Sequence, residues 1–200
     1  SMDKQNGSDY TPKASVGADA KVILSTSMNL DLTLNPDYSQ VEVDRQQTNI
    51  DRFELFFPEK RQFYLENSDL FANLGTNNLR PFFSRRIGLD SPVKAGARLS
   101  GKIGDNWRIG VMDIQTGQSD TISAANYGVA TLQRKVFRRS VVSAFLVNKQ
   151  EMNLRDEISS AKEYNRVAGL EFNLASADNR WTGKTFYHHS FSPGTKGNAS

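Results

Sequence analysis

The residues able to do chemistry in this chain crowd into one stretch: Glu59, Lys60, Arg61, Glu66 and Asp69, followed by Arg85 and Arg86. Paired carboxylates cleave a glycosidic bond when one acts as acid and the other as base or nucleophile across it, and Glu59 with Glu66 is the tempting pair. A plainer reading competes with this. Carboxylates seven residues apart in an aromatic, Arg-rich segment form ion pairs, and charges held inside a barrel or against a sheet require such partners. The favoured expectation is an ion-pair cluster of Glu59, Arg61, Glu66, Asp69, Arg85 and Arg86, with Glu59 and Glu66 as the catalytic candidates of the alternative.

Other chemistry finds less support. His188 and His189 are the only histidines, and neighbours on a strand face opposite ways, so they do not converge on one metal. Asp31, Asp37, Glu42 and Asp44 form a loose acidic stretch without the spacing and glycine of a calcium loop. There is no Gly-x-Ser-x-Gly elbow and no glycine-rich turn opening a phosphate-binding helix. The absence of cysteine removes disulfides, thiolate ligands and a Cys nucleophile. A net charge of +3 drawn from 25 basic and 22 acidic residues, without a basic stripe, points away from nucleic acid. No cofactor and no metal are expected.

The elements that must hold these residues read as strands. With 38% hydrophobic residues and a mean hydropathy of −0.55, the chain is too polar for membrane-spanning helices, but spanning strands alternate and escape that test. Residues 1–13 read as a disordered polar lead, and 14–200 as a single β domain with an insertion at 36–90. One or two strands run from Ala14 to Asn35, with Met28, Leu30, Leu32 and Leu34 on one face. The insertion holds Phe53, Phe56, Phe57, Phe63, Tyr64, Phe71, Phe82 and Phe83, whose bland reading is a core packed against the wall and whose alternative is a sugar-stacking groove. Thr48 and Asp51 suggest a cap for a short helix over about Ile50–Phe57, ended by Pro58.

From Val93 the pattern is period two: Val93, Ala95, Ala97, Leu99, Gly101 and Ile103 share a face opposite Lys94, Arg98, Ser100 and Lys102. Gly104-Asp105-Asn106 turns the chain into a strand from Trp107 to Gln115, and further strands follow at about Asn126–Arg134, Val141–Lys149, Tyr164–Asn173 and Arg180–His189. The sum is a mostly β, antiparallel meander of about seven to nine strands, a partial barrel or barrel-like sheet with a largely irregular insertion. Short turns alternate with longer polar connections, as in membrane meanders, where a tilted spanning strand needs roughly 9–11 residues. A lipocalin-like soluble barrel has the same periodicity. No positive start with an apolar run is present, so no signal peptide is read, and the chain begins and ends in mid-pattern as a fragment would.

Three blocks carry a resemblance: Leu32-Thr33-Leu34-Asn35-Pro36-Asp37-Tyr38-Ser39-Gln40-Val41-Glu42, then Phe56-Phe57-Pro58-Glu59-Lys60-Arg61-Gln62-Phe63-Tyr64-Leu65-Glu66, then Phe83-Ser84-Arg85-Arg86-Ile87-Gly88. In this order they resemble domain-of-unknown-function family 5916, with Gln62 standing where proline is expected and Asn67 where glycine is. The resemblance implies the barrel part of a Gram-negative outer-membrane protein, with a family-9-like carbohydrate-binding domain in front, and supplies no catalytic residue. The expected role is structural or transport-type, linked to carbohydrate handling at the cell surface. The alternative is a membrane-associated carbohydrate-binding or hydrolytic module. The expected partners are outer-membrane lipid and polysaccharide, and an isolated piece would pair through its edge strands or fold the insertion over the apolar face of Val93, Leu99, Ile103, Trp107, Ile109 and Val111.

Overall fold

Alternating sequences joined by tight turns pair with their neighbours, because antiparallel hairpins close at the smallest entropic cost. The computed structural model, which describes residues 16–36, 59–76, 79–89, 91–119, 122–152, 164–193 and 198–199, has this order. Its strands are β1 (Ala18–Ser25), β2 (Met28–Leu34), β3 (Val93–Ile103), β4 (Trp107–Thr116), β5 (Ala124–Val136), β6 (Ser140–Met152), β7 (Tyr164–Ala175), β8 (Thr182–Phe191) and β9 (Asn198–Ala199). Each pairs antiparallel with the next, so one nine-stranded meander runs in sequence order and stays open at β1 and β9 among the described residues. The expected strand positions agree with these to within a few residues, and Gly104 turns β3 into β4 with a positive φ of 62°.

The register separates two faces. Leu30 pairs with Leu99, Leu99 with Val111, Val111 with Ala130, Ala130 with Leu146 and Leu146 with Ala168, forming one apolar row. The adjacent row on the other face runs Asp31, Arg98, Met112, Val129, Val147 and Val167. Hydrophobic sheet faces usually turn inward, yet the apolar rows here are the exposed ones: Leu34 is 59% exposed, Tyr187 57% and Leu170 60%. The opposite face carries the buried residues Thr33, Arg98, Ser100, Thr131, Ser143, Glu171 and His188.

The insertion explains the inversion. Its described part makes two four-residue helices, α1 (Gln62–Leu65) and α2 (Asp69–Ala72), and a 3₁₀ turn at Ser84–Arg86. Phe63, Tyr64, Leu70, Phe71, Phe82 and Ile87 of this segment form the core with Val93, Met112, Ile114 and Val129 of the strands. The insertion thus covers the face opposite the one first expected, because that face offers both room and partners for its charges. Room comes from glycine: a Cβ on Gly96 would lie 3.1 Å from the Phe63 ring, and one on Gly110 only 2.7 Å from Phe71. Val93 also departs from expectation. A register shift between Val93 and Ala95 turns it into the covered core, while Ala95, Ala97, Leu99 and Ile103 keep to the outer face.

The two positions at which the resemblance led us to expect proline and glycine are locally compatible with the residues that stand there. Asn67 adopts a φ of 47°, the left-handed region that glycine favours and asparagine tolerates. Gln62 is the first residue of α1, a position that suits proline but does not require it. The helix expected over Ile50–Phe57 lies outside the described residues, as do Phe53, Phe56 and Phe57.

The glycine socket gives a prediction. Gly110→Val should displace the Phe71 ring and cost on the order of 1–3 kcal/mol, the usual penalty of overpacking. Denaturant unfolding measures the loss, and limited proteolysis should show cleavage between residues 59 and 90 rising before any in β4–β7; unchanged stability and protection would contradict the packing.

Candidate functional site

Charges cannot be taken under a covering segment without partners, so the contact between insertion and strands is where polar chemistry concentrates. Three clamps tie the two together. In the first, the Glu66 carboxylate accepts from Lys21 on β1 and from Asn29 Nδ2 on β2 at 2.5 Å. Arg98 on β3, 1% exposed, donates Nη1 to the Glu66 carbonyl at 2.8 Å and Nη2 to Asp31 at 2.7 Å. Its guanidinium also lies 5.5 Å from the centre of the Phe63 ring, and Asn67 donates to Ser100 Oγ at 3.1 Å.

The second clamp is a fork. Arg108 on β4 gives two nitrogens to the two oxygens of Asp69, at 2.5 and 3.0 Å. Such bidentate pairing fixes orientation as well as distance. The third clamp lies on β7 and β8. The Gly75 N–H donates to Glu171 at 2.5 Å, and Lys184 reaches Glu171 at 2.8 Å, the Asn73 carbonyl at 2.9 Å and the Gly75 carbonyl. His188 completes it, with Nε2 3.0 Å from Glu171 and its ring set between Phe145 and Phe186 at 5.0 and 4.7 Å.

Glu59 belongs to a separate network within the insertion. Arg61 donates Nε and Nη2 to its two oxygens at 2.9 and 2.8 Å, and Ser84 Oγ donates at 2.6 Å. Arg61 also donates to the carbonyls of Ile87 and Ser84 at 2.5 and 2.7 Å and stacks over Tyr64. One buried guanidinium thereby joins α1 to the 3₁₀ turn that carries Arg85 and Arg86. Of the expected cluster, Glu59 meets Arg61, whereas Glu66 and Asp69 reach across to Arg98 and Arg108 of the strands.

The electrostatics follow from these contacts. Burial raises the Glu59 pKa, but the hydrogen bonds from Arg61 and Ser84 and the Arg61 charge outweigh it, leaving the carboxyl below its ordinary 4.5. The Lys21 hydrogen bond holds Glu66 below its ordinary value, and the Arg108 fork does the same for Asp69. A glycosidase acid needs the reverse, a pKa raised toward neutrality. Glu59 and Glu66 sit in different networks, each occupied by cations, and the arrangement performs fastening.

His188 and His189 point to opposite faces, His188 inward on Glu171 and His189 outward against the Phe191 ring at 4.4 Å. Among the described residues no group of three or more metal-ligating side chains converges. Sequence reasoning missed the Glu171–Lys184–His188 clamp. Its signal was parity: Glu171, Lys184 and His188 all occupy inner positions of the two strands, in phase with Arg98 and Asp31.

An open antiparallel meander with a polar face covered by its own insertion is the class of protein these observations define. The model of the domain of unknown function DUF5916 matches residues 1–106, and the chain belongs to that family. No curated protein and no solved structure matches the chain.

Two outcomes test the fastening. Arg98→Met should cost about 3–5 kcal/mol, since it leaves Asp31 without its buried counter-charge, and Asp31→Asn in the same chain should recover part of the loss. Because the Glu59 pKa is depressed in the folded protein, its stabilisation is present above the unfolded value near 4.5 and is lost as pH falls through the folded value. The penalty of Glu59→Gln, on the order of 1–3 kcal/mol at neutral pH, should therefore shrink steadily between about pH 5 and pH 3 in denaturant titrations. A penalty that does not change over that window would refute the ionic account of Glu59.

Proposed function

We propose that this chain forms a wall section and inner plug of an outer-membrane β-barrel in Gram-negative bacteria, with a structural or transport-type role linked to carbohydrate handling at the cell surface. The observation that carries the reading is the inverted sheet: apolar rows exposed on one face, buried charge and hydroxyls on the other. In water such a face is an association hazard, whereas against lipid it is the favourable arrangement, with polar residues turned to the lumen. The apolar rows are bounded as a lipid-facing band would be. Beyond Val111, Ala130, Leu146 and Ala168, the next outward positions are Asp113, Gly128, Asn148 and Arg166, and Asn126 there donates to Asp113 at 3.0 Å.

Connection lengths support the same reading. The turns at 26–27, 104–106 and 137–139 are short and 176–181 at the same end is intermediate, while 35–92, 117–123 and 153–163 at the other end are longer. Bacterial outer-membrane barrels divide their turns and loops in this way. No helix among the described residues is long and apolar enough to cross a membrane, which leaves strands as the crossing elements of this proposal. The sugar link rests on the resemblance alone, which implies a carbohydrate-binding module in front of this part.

The test uses the full-length protein. It should fractionate with the outer membrane and migrate differently in detergent gels before and after heating. Leu146→Arg should lower stability in bilayers by about 2–4 kcal/mol and Asn148→Arg by no more than about 1, the depth dependence of a lipid-facing position. Recovery of the protein in the soluble periplasm with a heat-insensitive band would end the proposal.

A further inference from the structure

The end of the sheet with the short connections concentrates positive charge. Residues 102–107, 134–139 and 176–181 carry Lys102, Arg134, Lys135, Arg138, Arg139 and Arg180, all exposed, against Asp105 and Asp178. This is an excess of four positive charges at one end of a chain whose whole net charge is +3, so the remainder of the chain is close to neutral. Arg108, next along β4, is already held by Asp69.

Three aromatic rings stand at the same end. Trp107 opens β4, Trp181 precedes β8, and Phe137 occupies the turn between β5 and β6. Trp181 is 73% exposed and Phe137 85%, the reverse of the burial that rings of this size usually find. Phe137 also holds a φ of 54°, a conformation open to glycine or asparagine and costly for a bulky side chain. A turn that had only to reverse the chain would be served better by glycine, so the ring points to a use outside the fold. Trp107 pairs with Arg134 across β4 and β5 in the outer row, and the guanidinium lies 5.1 Å from the centre of the indole ring.

From this juxtaposition we infer that the short-turn end is a belt that binds the headgroups of anionic phospholipids. The inference rests on the barrel reading and adds to it which end of the wall meets which lipid. Trp and Phe rings settle where hydrocarbon gives way to headgroups. Guanidinium groups at that level take phosphate oxygens through parallel N–H donors. Net charge supplies the selectivity, because a zwitterionic headgroup brings its own cation and an anionic one does not. Each Lys or Arg near an anionic surface adds roughly five-fold in association, an attraction that salt screens.

The experiment places the full-length protein in phosphatidylcholine bilayers that hold a minor fraction of either phosphatidylglycerol or phosphatidylcholine brominated near the headgroup, and reads tryptophan quenching. The contribution of Trp107 and Trp181 is the difference from the Trp107→Phe, Trp181→Phe variant. Brominated phosphatidylglycerol should quench these two as though enriched around them on the order of five-fold or more over brominated phosphatidylcholine, and added salt should shrink the difference. Lys135→Gln, Arg138→Gln and Arg139→Gln together, which spare Arg134 beside the reporter ring, should remove most of the preference while gel migration still shifts on heating. Phe137→Gly should lower stability in the bilayer even though it relieves the backbone. Equal quenching by the two lipids in the inserted protein, a preference undiminished in the triple variant, or no loss of stability in Phe137→Gly would each overturn the inference and leave the barrel reading standing. Shielding of Trp107 and Trp181 from both lipids, as a second copy docked on this end would produce, would overturn it as well. A protein that stays off the bilayer ends the barrel reading, and this inference falls with it.

Discussion

A sheet face that carries Asp31, Arg98, Glu171, Lys184 and His188 at inward positions can be covered only by something that answers each charge, and this requirement organises the molecule. Water answers charges at no structural cost, so a covering segment must match it contact for contact. The insertion does so with Glu66 on Lys21 and Arg98, Asp69 on Arg108, and the Gly75 peptide on Glu171. These links attach a segment with very little regular structure of its own to strands at both ends of the sheet. Helices of four residues are far below the length at which a helix stands alone, so α1 and α2 owe their form to the wall beneath them.

Charge fixes where the insertion sits, and apolar packing supplies most of its adhesion. Leu70 and Phe71 are almost fully buried, and the Phe71 ring occupies the space left by Gly110. Burying side chains of that size is worth about 1.5–3 kcal/mol each, against the 0–1 kcal/mol typical of exposed ion pairs such as Lys21–Glu66. Arg98 differs from such surface pairs. Its burial between Asp31 and the Glu66 carbonyl makes the loss of either partner expensive, so it specifies register more than it adds net stability.

Much of this was legible in the sequence, for a physical reason. Strand parity is strict, so Met28 to Leu34 and Ala95 to Ile103 announced their faces, and the strand and turn positions followed from the alternation. Which face would be covered was not legible. The usual association of apolar with inside assigned the insertion to the row of Leu99, Ile109 and Val111, and the structure puts it on the row of Arg98, Gly110 and Met112. Gly96 and Gly110 were the available signal, since glycine on a strand marks a close approach by another part of the chain. The bulge that turns Val93 inward has no counterpart in the alternation. Within the candidate site, Glu59 and Arg61 were read into one cluster and do meet, but the partners of Glu66 and Asp69 were not recognised, because Glu66 to Lys21 and Asp69 to Arg108 are contacts that only the assembled register creates.

The central claim is that the apolar rows form the outer surface of a wall and the insertion occupies its inner side. The chain has no cysteine, so single cysteines introduced at chosen sites can each carry a nitroxide label without background. With the full-length protein reconstituted in bilayers, labels at Leu132, Leu146 and Leu170 should be relaxed strongly by oxygen and weakly by a water-soluble nickel chelate. Labels at Asp113 and Asn148, beyond the apolar rows, should show the opposite ratio. Equal access of the nickel chelate to all five positions would contradict the account.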